Sequence, residues 1–330
     1  MRGVRLVRPG PLSDEPLEIG DLPGPDPAPD ELVLSVAACA MCRTDLQLVT
    51  GDLRARRLPI IPGHQVVGRV ERVGGDVEGW REGDRAGVAW LASTCGQCTF
   101  CRSDRENLCR DARFTGWDRD GGYATRITVR AAFALRIPEA FDDVAAAPLL
   151  CGGVIGYRSL RISGIRPGGR LGLFGFGASA LLALQVARHW GCEVHVRTRS
   201  AAEQERAVAL GATSAAGYAE PTAPLDAAVT FAPSGDVVLA ALRNLERGGS
   251  VAINAIHLDR MPEFDYDHLW WERGIRSVAN FTRRDAHEFL ELAASIPVAT
   301  ATQTFFLDEA PSALDRLARG ELAGTAVLIP

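Results

Sequence analysis

No uninterrupted apolar run in this sequence reaches the ~20 residues that a bilayer span requires, so no membrane partner is expected. A basic block is missing too: 36 Lys plus Arg and 41 Asp plus Glu are spread along the chain, for a formal charge of -5. Nothing there would neutralise a run of phosphates, and electrostatically driven nucleic-acid binding is not expected. The stretch Met1 to Leu12 holds three Arg and two Pro and lacks an apolar core of signal-peptide length, which makes the cytoplasm the expected compartment. Internal repeats and low-complexity tracts are absent, and Pro221 to Pro224 reads as an ordinary surface loop. What is present is a 330-residue chain, 47% hydrophobic, that reads as a soluble globular protein. At about 150 residues per domain it suggests two domains, each able to bury its own core.

Eight cysteines without a secretion signal argue for metal or redox chemistry before disulfides, because thiols stay reduced in the cytosol. Cys39, Cys42, Cys151 and Cys192 are scattered, whereas Cys95, Cys98, Cys101 and Cys109 fall within fifteen residues. Four thiolates on one short loop can close a tetrahedral shell around zinc with no position left for substrate, which makes a structural site. Exposed unligated thiols so close together would oxidise readily. An iron–sulfur cluster is the competing metal, and colour separates brown iron–sulfur protein from colourless zinc protein.

The first ~150 residues are rich in Pro and Gly, with short apolar runs at Leu32 to Ala37, Val66 to Val70 and Arg85 to Trp90. This spacing suggests an irregular antiparallel β domain of barrel type. After Cys151 the grammar changes to alternating strands and helices. Strand Arg170 to Phe174 leads through Gly175-Phe176-Gly177 into a helix over Ala178 to His189, then strand Glu193 to Arg197, helix Ala202 to Leu210 and strand Asp226 to Phe231. Helix Asp236 to Leu245 and strand Ser250 to Asn254 continue a doubly wound parallel sheet. Strand Thr302 to Phe306, helix Asp308 to Arg319 and strand Thr325 to Ile329 can close either domain.

Cys42, His64 and Cys151 are far apart in the chain, yet each sits in a telling setting: Cys42-Arg43-Thr44-Asp45, Gly63-His64-Gln65 and Leu150-Cys151-Gly152-Gly153. Two thiolates and one imidazole make a zinc site with an open fourth position, a Lewis acid toward a bound alcohol or carbonyl. The turn Gly175-x-Gly177-x-x-Ala180, after a strand and at the start of a helix, fits a pyrophosphate, with Gly175, Gly177, Ala178 and Ser179 as its contacts. About twenty residues on, where an NAD binder offers an acid to the ribose, stands Arg197-Thr198-Arg199-Ser200. Guanidinium groups there suit the 2′-phosphate of NADP, and a solvated Arg pair is the alternative.

Open zinc, closed four-cysteine zinc and a dinucleotide turn, in this order, resemble the zinc-dependent alcohol dehydrogenases of the medium-chain dehydrogenase/reductase superfamily, in particular a bacterial zinc-binding branch. The resemblance runs the whole length and includes Glu106-Asn107-Leu108-Cys109, Asp120-Gly121-Gly122-Tyr123-Ala124 and the Ala-Val-Leu ending. It implies an α/β plus β architecture: a GroES-like β-barrel catalytic domain over residues 1–153, with a structural zinc lobe at about 90–113. A Rossmann domain over 154–294 and a C-terminal segment, 295–330, completing the catalytic domain would follow. Active sites in such enzymes lie in the cleft between domains. By matching position, Cys42, His64 and Cys151 become catalytic zinc ligands, and Asp45 orients His64. Thr44 hydrogen-bonds the substrate oxygen and Arg43 contacts the pyrophosphate. Cys95, Cys98, Cys101 and Cys109 become the structural zinc site, while Cys39 and Cys192 match no ligand. The implied reaction is hydride transfer between NADP(H), preferred over NAD(H), and the carbonyl of an aldehyde, ketone or iminium-type substrate. Homodimers or homotetramers are the implied assembly.

Two positions depart from the family pattern. Gln65 stands where many relatives have Glu, and Gln47 where many have His. A glutamine cannot take up a proton near neutral pH, so the imidazole relay from Thr44 is missing. Either the relay runs through water or the substrate demands little of it, as a conjugated carbonyl would. Trp90, Phe114, Trp117 and Trp270 are candidates for an apolar pocket wall. A zinc-free quinone or enoyl reductase would lack both cysteine sets, and a catalytically silent descendant acting as an interaction protein would keep the structural zinc while tolerating Gln65 and Gln47.

Overall fold

The computed structural model describes residues 1–296 and 298–330. It divides into two compact units, one comprising Met1–Cys151, Thr282–Ala294 and Ala299–Pro330, the other Gly152–Phe281 and Ser295–Val298.

The first unit is built on a seven-stranded sheet. Its spine is the strand Glu31–Ala40, whose residues are buried except Ser35 and Ala37, so it reads as a nearly continuous apolar run rather than an alternating one. It pairs antiparallel with Gln65–Val73, from Leu32↔Val73 to Ala40↔Gln65. The last of these pairs brings the residue after His64 opposite the residue two before Cys42. The C-terminal strand Thr325–Ile329 adds to the same end through Val327↔Ala40 and Leu328↔Cys39, so the C-terminal segment belongs to this unit.

The second unit is a six-stranded parallel sheet. The first strand, Arg170–Phe174, lies inside it, flanked on one side by Glu193–Arg197 and Ser214–Ala216 and on the other by Leu225–Thr230, Leu245–Ile253 and Gly274–Ser277. The chain thus winds outward, returns across the first strand and winds out the other way. Such a reversal leaves a crevice at the carboxyl ends of the strands, where open α/β sheets take their ligands. GroES-like and Rossmann-like folds are both present.

Two expectations are corrected. The strand expected at Ser250 to Asn254 begins at Leu245, the last residue of the expected helix, because Gly248 and Gly249 sit within the strand at a register shift between Leu225↔Leu245 and Ala227↔Ser250. The segment Thr282–Ala294, expected in the dinucleotide domain, clusters with the first unit. Its Arg283 explains why: the backbone N–H donates to the buried Glu106 carboxylate at 2.8 Å and the guanidinium lies 4.9 Å from the Phe133 ring centroid. The chain contains no lysine, so all 36 basic side chains are arginine, and ion pairs such as Arg85–Asp143 and Arg126–Glu71 are all guanidinium–carboxylate pairs.

Candidate active site

The helix Arg43–Thr50 starts where the spine strand ends, and Cys42 is its N-cap. Asp45, three residues on, turns back to accept from the Cys42 backbone N–H at 2.8 Å, closing a capping box. The other oxygen of that carboxylate accepts from the Gly63 N–H at 3.2 Å and meets His64 Nδ1 at 3.2 Å. A single buried carboxylate therefore fixes the helix start, the loop before His64 and the imidazole itself. With Nδ1 engaged, Nε2 faces Cys42 Sγ at 3.4 Å.

Ligand atoms of Cys42, His64 and Cys151 all lie within 4.8 Å of one another. A tetrahedral zinc with ordinary bond lengths separates sulfur from nitrogen by about 3.6 Å and sulfur from sulfur by about 3.8 Å. The donors fit that ion. In the metal-free protein, contact with the Cys151 thiol and burial push the Cys42 thiol well up. Burial is the largest influence on His64 and favours the neutral ring, but the charges of Asp45 and Cys42 and their hydrogen bonds outweigh it and push its pKa up to about 10. Thr44 is nearly buried in the first helical turn, its N–H donating to Cys42 Sγ at 3.4 Å, while Arg43 is exposed. Gln65 is buried, and its side-chain amide donates to the Ala40 carbonyl at 3.2 Å, bracing the strand pair behind the ligands.

The four-cysteine loop is equally compact: Cys95 to Cys109 and Cys98 to Cys101 are 3.5 Å apart at sulfur, and Cys95 to Cys101 is 3.9 Å. These separations match the edges of a zinc tetrahedron. Backbone N–H groups of Gln97 and Cys98 pull the Cys95 thiol down to about 7, while burial pushes its neighbour Cys109 up to about 11, so the two share a proton when no ion is bound.

In the second unit Gly175 has φ +91°, and a Cβ there would lie 2.9 Å from the Ala232 nitrogen, so the turn needs glycine. Gly177 caps the helix Ala178–His189 without a side chain, and a Cβ at Gly177 would meet nothing within 4 Å. Gly177 and Ala178 are exposed and Ser179 half-buried, an open approach to the helix N-terminus.

The arginine pair is corrected. Arg197 is only 3% exposed, and its guanidinium donates to the carbonyls of Val196, Glu220 and Pro221 at 2.9, 3.1 and 2.8 Å and to Ser214 Oγ at 3.4 Å. It pins the loop after the Ser214–Ala216 strand, and with four of its five donors committed and its surface buried it is not presented to a phosphate. Thr198 is also buried, its hydroxyl donating to the Glu203 carboxylate. Arg199 points out to solvent.

Of the aromatic candidates, Trp90 meets His64 edge-on at 4.7 Å, and Phe114 and Trp117 stack on Trp90 at 5.5 and 5.7 Å. Arg56 covers the outer face of Trp117 at 3.7 Å and pairs with Asp118. Trp270 lies in the other unit, half exposed among Tyr266 and Trp271. Sequence reasoning gave no role to the segment Asp120–Tyr123, which clasps the loop carrying His64: Gly121 and Gly122 N–H groups donate to the Ile61 and Gly63 carbonyls at 2.7 and 2.9 Å. Its paired glycines were the available signal, since a Cβ on Gly121 would lie 2.0 Å from the Gly63 oxygen.

Residues 28–139 match the family model described as alcohol dehydrogenase GroES-like domain. The chain is 50% identical over 336 residues to a Mycobacterium tuberculosis protein named Probable alcohol dehydrogenase AdhA, covering 100% of this chain and 97% of the relative. Among solved structures, a cobalt- and zinc-bound thermostable alcohol dehydrogenase from Pyrobaculum aerophilum superposes with a TM-score of 0.89 at 25% identity, over 100% of this chain and 99% of that one. A Sinorhizobium meliloti 1021 protein bound to NADP matches with a TM-score of 0.89 at 26% identity, over 100% and 99% of the two chains.

Proposed function

From the premise that this chain belongs to the zinc-type alcohol dehydrogenases of the medium-chain dehydrogenase/reductase superfamily, we propose an enzyme that reduces an apolar aldehyde or ketone with NADPH at Cys42, His64 and Cys151. The observation that carries the reading is the convergence of three ligand atoms, two cysteine sulfurs and an imidazole nitrogen, with one buried carboxylate fixing the Cys42 backbone and the His64 ring. A zinc ion bound there with an open fourth position supplies Lewis-acid polarisation of a substrate oxygen. NADPH supplies the hydride. Everything else falls to the chain's own groups.

Thr44, next to Cys42 in the first helical turn, donates a hydrogen bond to the substrate oxygen as negative charge develops on it, and its lost proton is replaced from solvent, since Gln47 has no titratable nitrogen. Asp45 keeps the His64 ring oriented with Nε2 toward the ligand cluster. Trp90, Phe114 and Trp117 present apolar surface beside His64, which favours planar apolar substrates over small hydrated ones. The second unit holds the dinucleotide, with its pyrophosphate at Gly175, Gly177, Ala178 and Ser179, at the N-terminus of the helix Ala178–His189. Its 2′-phosphate pairs with Arg199, the arginine of the pair whose guanidinium faces solvent.

Elemental analysis of protein purified without chelator tests the reading. Near two zinc ions per chain, with NADPH oxidation driven by aromatic aldehydes, is the expected result. Near one zinc, or reduction that persists undiminished in Cys42→Ser, overturns it.

A further inference from the structure

Tyr123 is completely buried, and its ring lies flat against the loop that delivers His64: a Cβ on Gly63 would sit 2.4 Å from Tyr123 Cδ1. The backbone is sewn to the same loop, with Tyr123 N–H donating to the Pro62 carbonyl at 3.0 Å and Asp120 Oδ1 accepting from Ile61 N–H at 3.1 Å. The phenol hydroxyl is different from everything around it. It is buried and makes no hydrogen bond of ordinary geometry. A buried donor left unpaired is costly, so native proteins rarely keep one without a use.

The polar groups near it are those of the metal site. Asp45 acts on the hydroxyl most strongly after burial itself, followed by Cys39 and Cys42. An ionised carboxylate offers about four acceptor positions. Asp45 uses three, for Cys42 N–H, Gly63 N–H and His64 Nδ1. One acceptor position of Asp45 therefore remains, and the buried hydroxyl, which meets no partner in full hydrogen-bond geometry, is close enough for Asp45 to act on it both by charge and by hydrogen bonding. The ring is completely buried against the Gly63 backbone, where an added Cβ would meet both Tyr123 Cδ1 at 2.4 Å and Cys39 Sγ at 2.8 Å.

We propose that Tyr123 is a positioning residue of the metal site, whose hydroxyl donates to the remaining acceptor position of Asp45 when Cys42, His64 and Cys151 hold their ion. The inference rests on the proposed metal reading of those three residues. By fixing the carboxylate from a fourth side, the phenol keeps His64 in the tautomer and ring angle that ligation requires. Its effect on chemistry passes through Asp45 and His64, and it touches neither substrate nor cofactor.

The test uses the full-length enzyme with cobalt in place of zinc, and the variant Tyr123→Phe, which keeps the ring packing and removes one oxygen. Loss of a partner of this kind lowers metal retention roughly 10–100-fold. The expected result is release of cobalt from the three-ligand site to a chelator at least about tenfold faster, with a shifted cobalt absorption band, while the four-cysteine site releases its ion at the wild-type rate. In an Asp45→Asn background the same change then accelerates release by a much smaller factor. Equal release from wild type and Tyr123→Phe overturns the proposal, as does equal acceleration at both sites, which would mark general loosening, or an undiminished effect in Asp45→Asn. A wild-type protein that binds cobalt only at the four-cysteine site would overturn the metal reading itself, a result recognisable before any variant is made.

Discussion

Separating Arg197 from Arg199 is the sharpest test of how this chain chooses its cofactor. Arg197 ends the second strand of the parallel sheet and Arg199 follows it, and a sequence reader would treat them as a pair. The structure buries Arg197 among carbonyls and leaves Arg199 exposed. Arg199→Ala removes an exposed cation, and a charge-assisted hydrogen bond contributes about 1.5–3 kcal/mol. Because Arg199 is exposed, solvent screening argues for the lower end, about a tenfold fall in the NADPH over NADH preference, with stability unchanged. Arg197→Ala instead strips hydrogen bonds from three carbonyls and a serine hydroxyl. Each buried group left without a partner costs about 1–3 kcal/mol, and with water refilling part of the space a loss of roughly 3 kcal/mol is expected. Its preference ratio should hold. The assay is kcat/KM for the two cofactors beside a urea midpoint for each variant. A collapse of NADPH preference in Arg197→Ala at wild-type stability would refute the reasoning.

Gly63→Ala should lower stability by roughly 2 kcal/mol or more and loosen metal at the three-ligand site, because a Cβ there meets the Tyr123 ring at 2.4 Å on a backbone of φ +94°; thermal melting and metal content check it. In metal-free protein His64 has its pKa raised from 6.5 to about 10, so its stabilising contribution is full below pH 6.5 and is lost as pH rises through about 10, and Cys42, also raised, runs the same way. Denaturation midpoints of the chelated protein should therefore fall between pH 6.5 and 10, whereas metal affinity, which requires both protons to leave, should climb over the same range; a flat affinity profile would contradict this. Gln47→His supplies an imidazole one turn beyond Thr44, and alcohol oxidation near pH 7 should quicken several-fold if solvent supply of the proton limits the rate. No gain would point to a substrate that makes little demand on the relay.

Much of this was legible from the sequence because the signals were local. The strand Arg170–Phe174, the helix Ala178–His189 and the strand Glu193–Arg197 fall where periodicity and the glycine turn put them. The four-cysteine loop declares itself by spacing. What stayed hidden depends on contacts across the chain. Whether Arg197 faces a ligand or a carbonyl cage is decided by Glu220 and Pro221, more than twenty residues away. That Gln65 braces the Ala40 carbonyl follows from strand register, which the residue type alone does not disclose. The segment at Thr282–Ala294 joins the first unit because of Glu106, 177 residues upstream of Arg283. Tyr123 lay in a motif that the sequence displayed, but its partner at Asp45 emerges only once Gly63 is seen between them.

The absence of lysine has a chemical consequence for an enzyme of this family. Aldehydes condense reversibly with primary amines to give imines, and in most proteins lysine side chains are where that damage accumulates. Here all 36 positions counted as Lys plus Arg end in a guanidinium, which stays protonated across the physiological range and is a poor nucleophile toward carbonyls. The ion pairs that tie the first unit together, Arg85 to Asp143 and Arg126 to Glu71 among them, contain no group that the carbonyl compounds of the reaction would readily cap. A member of the alcohol dehydrogenase family is thus assembled without the side chain most readily capped by carbonyl compounds.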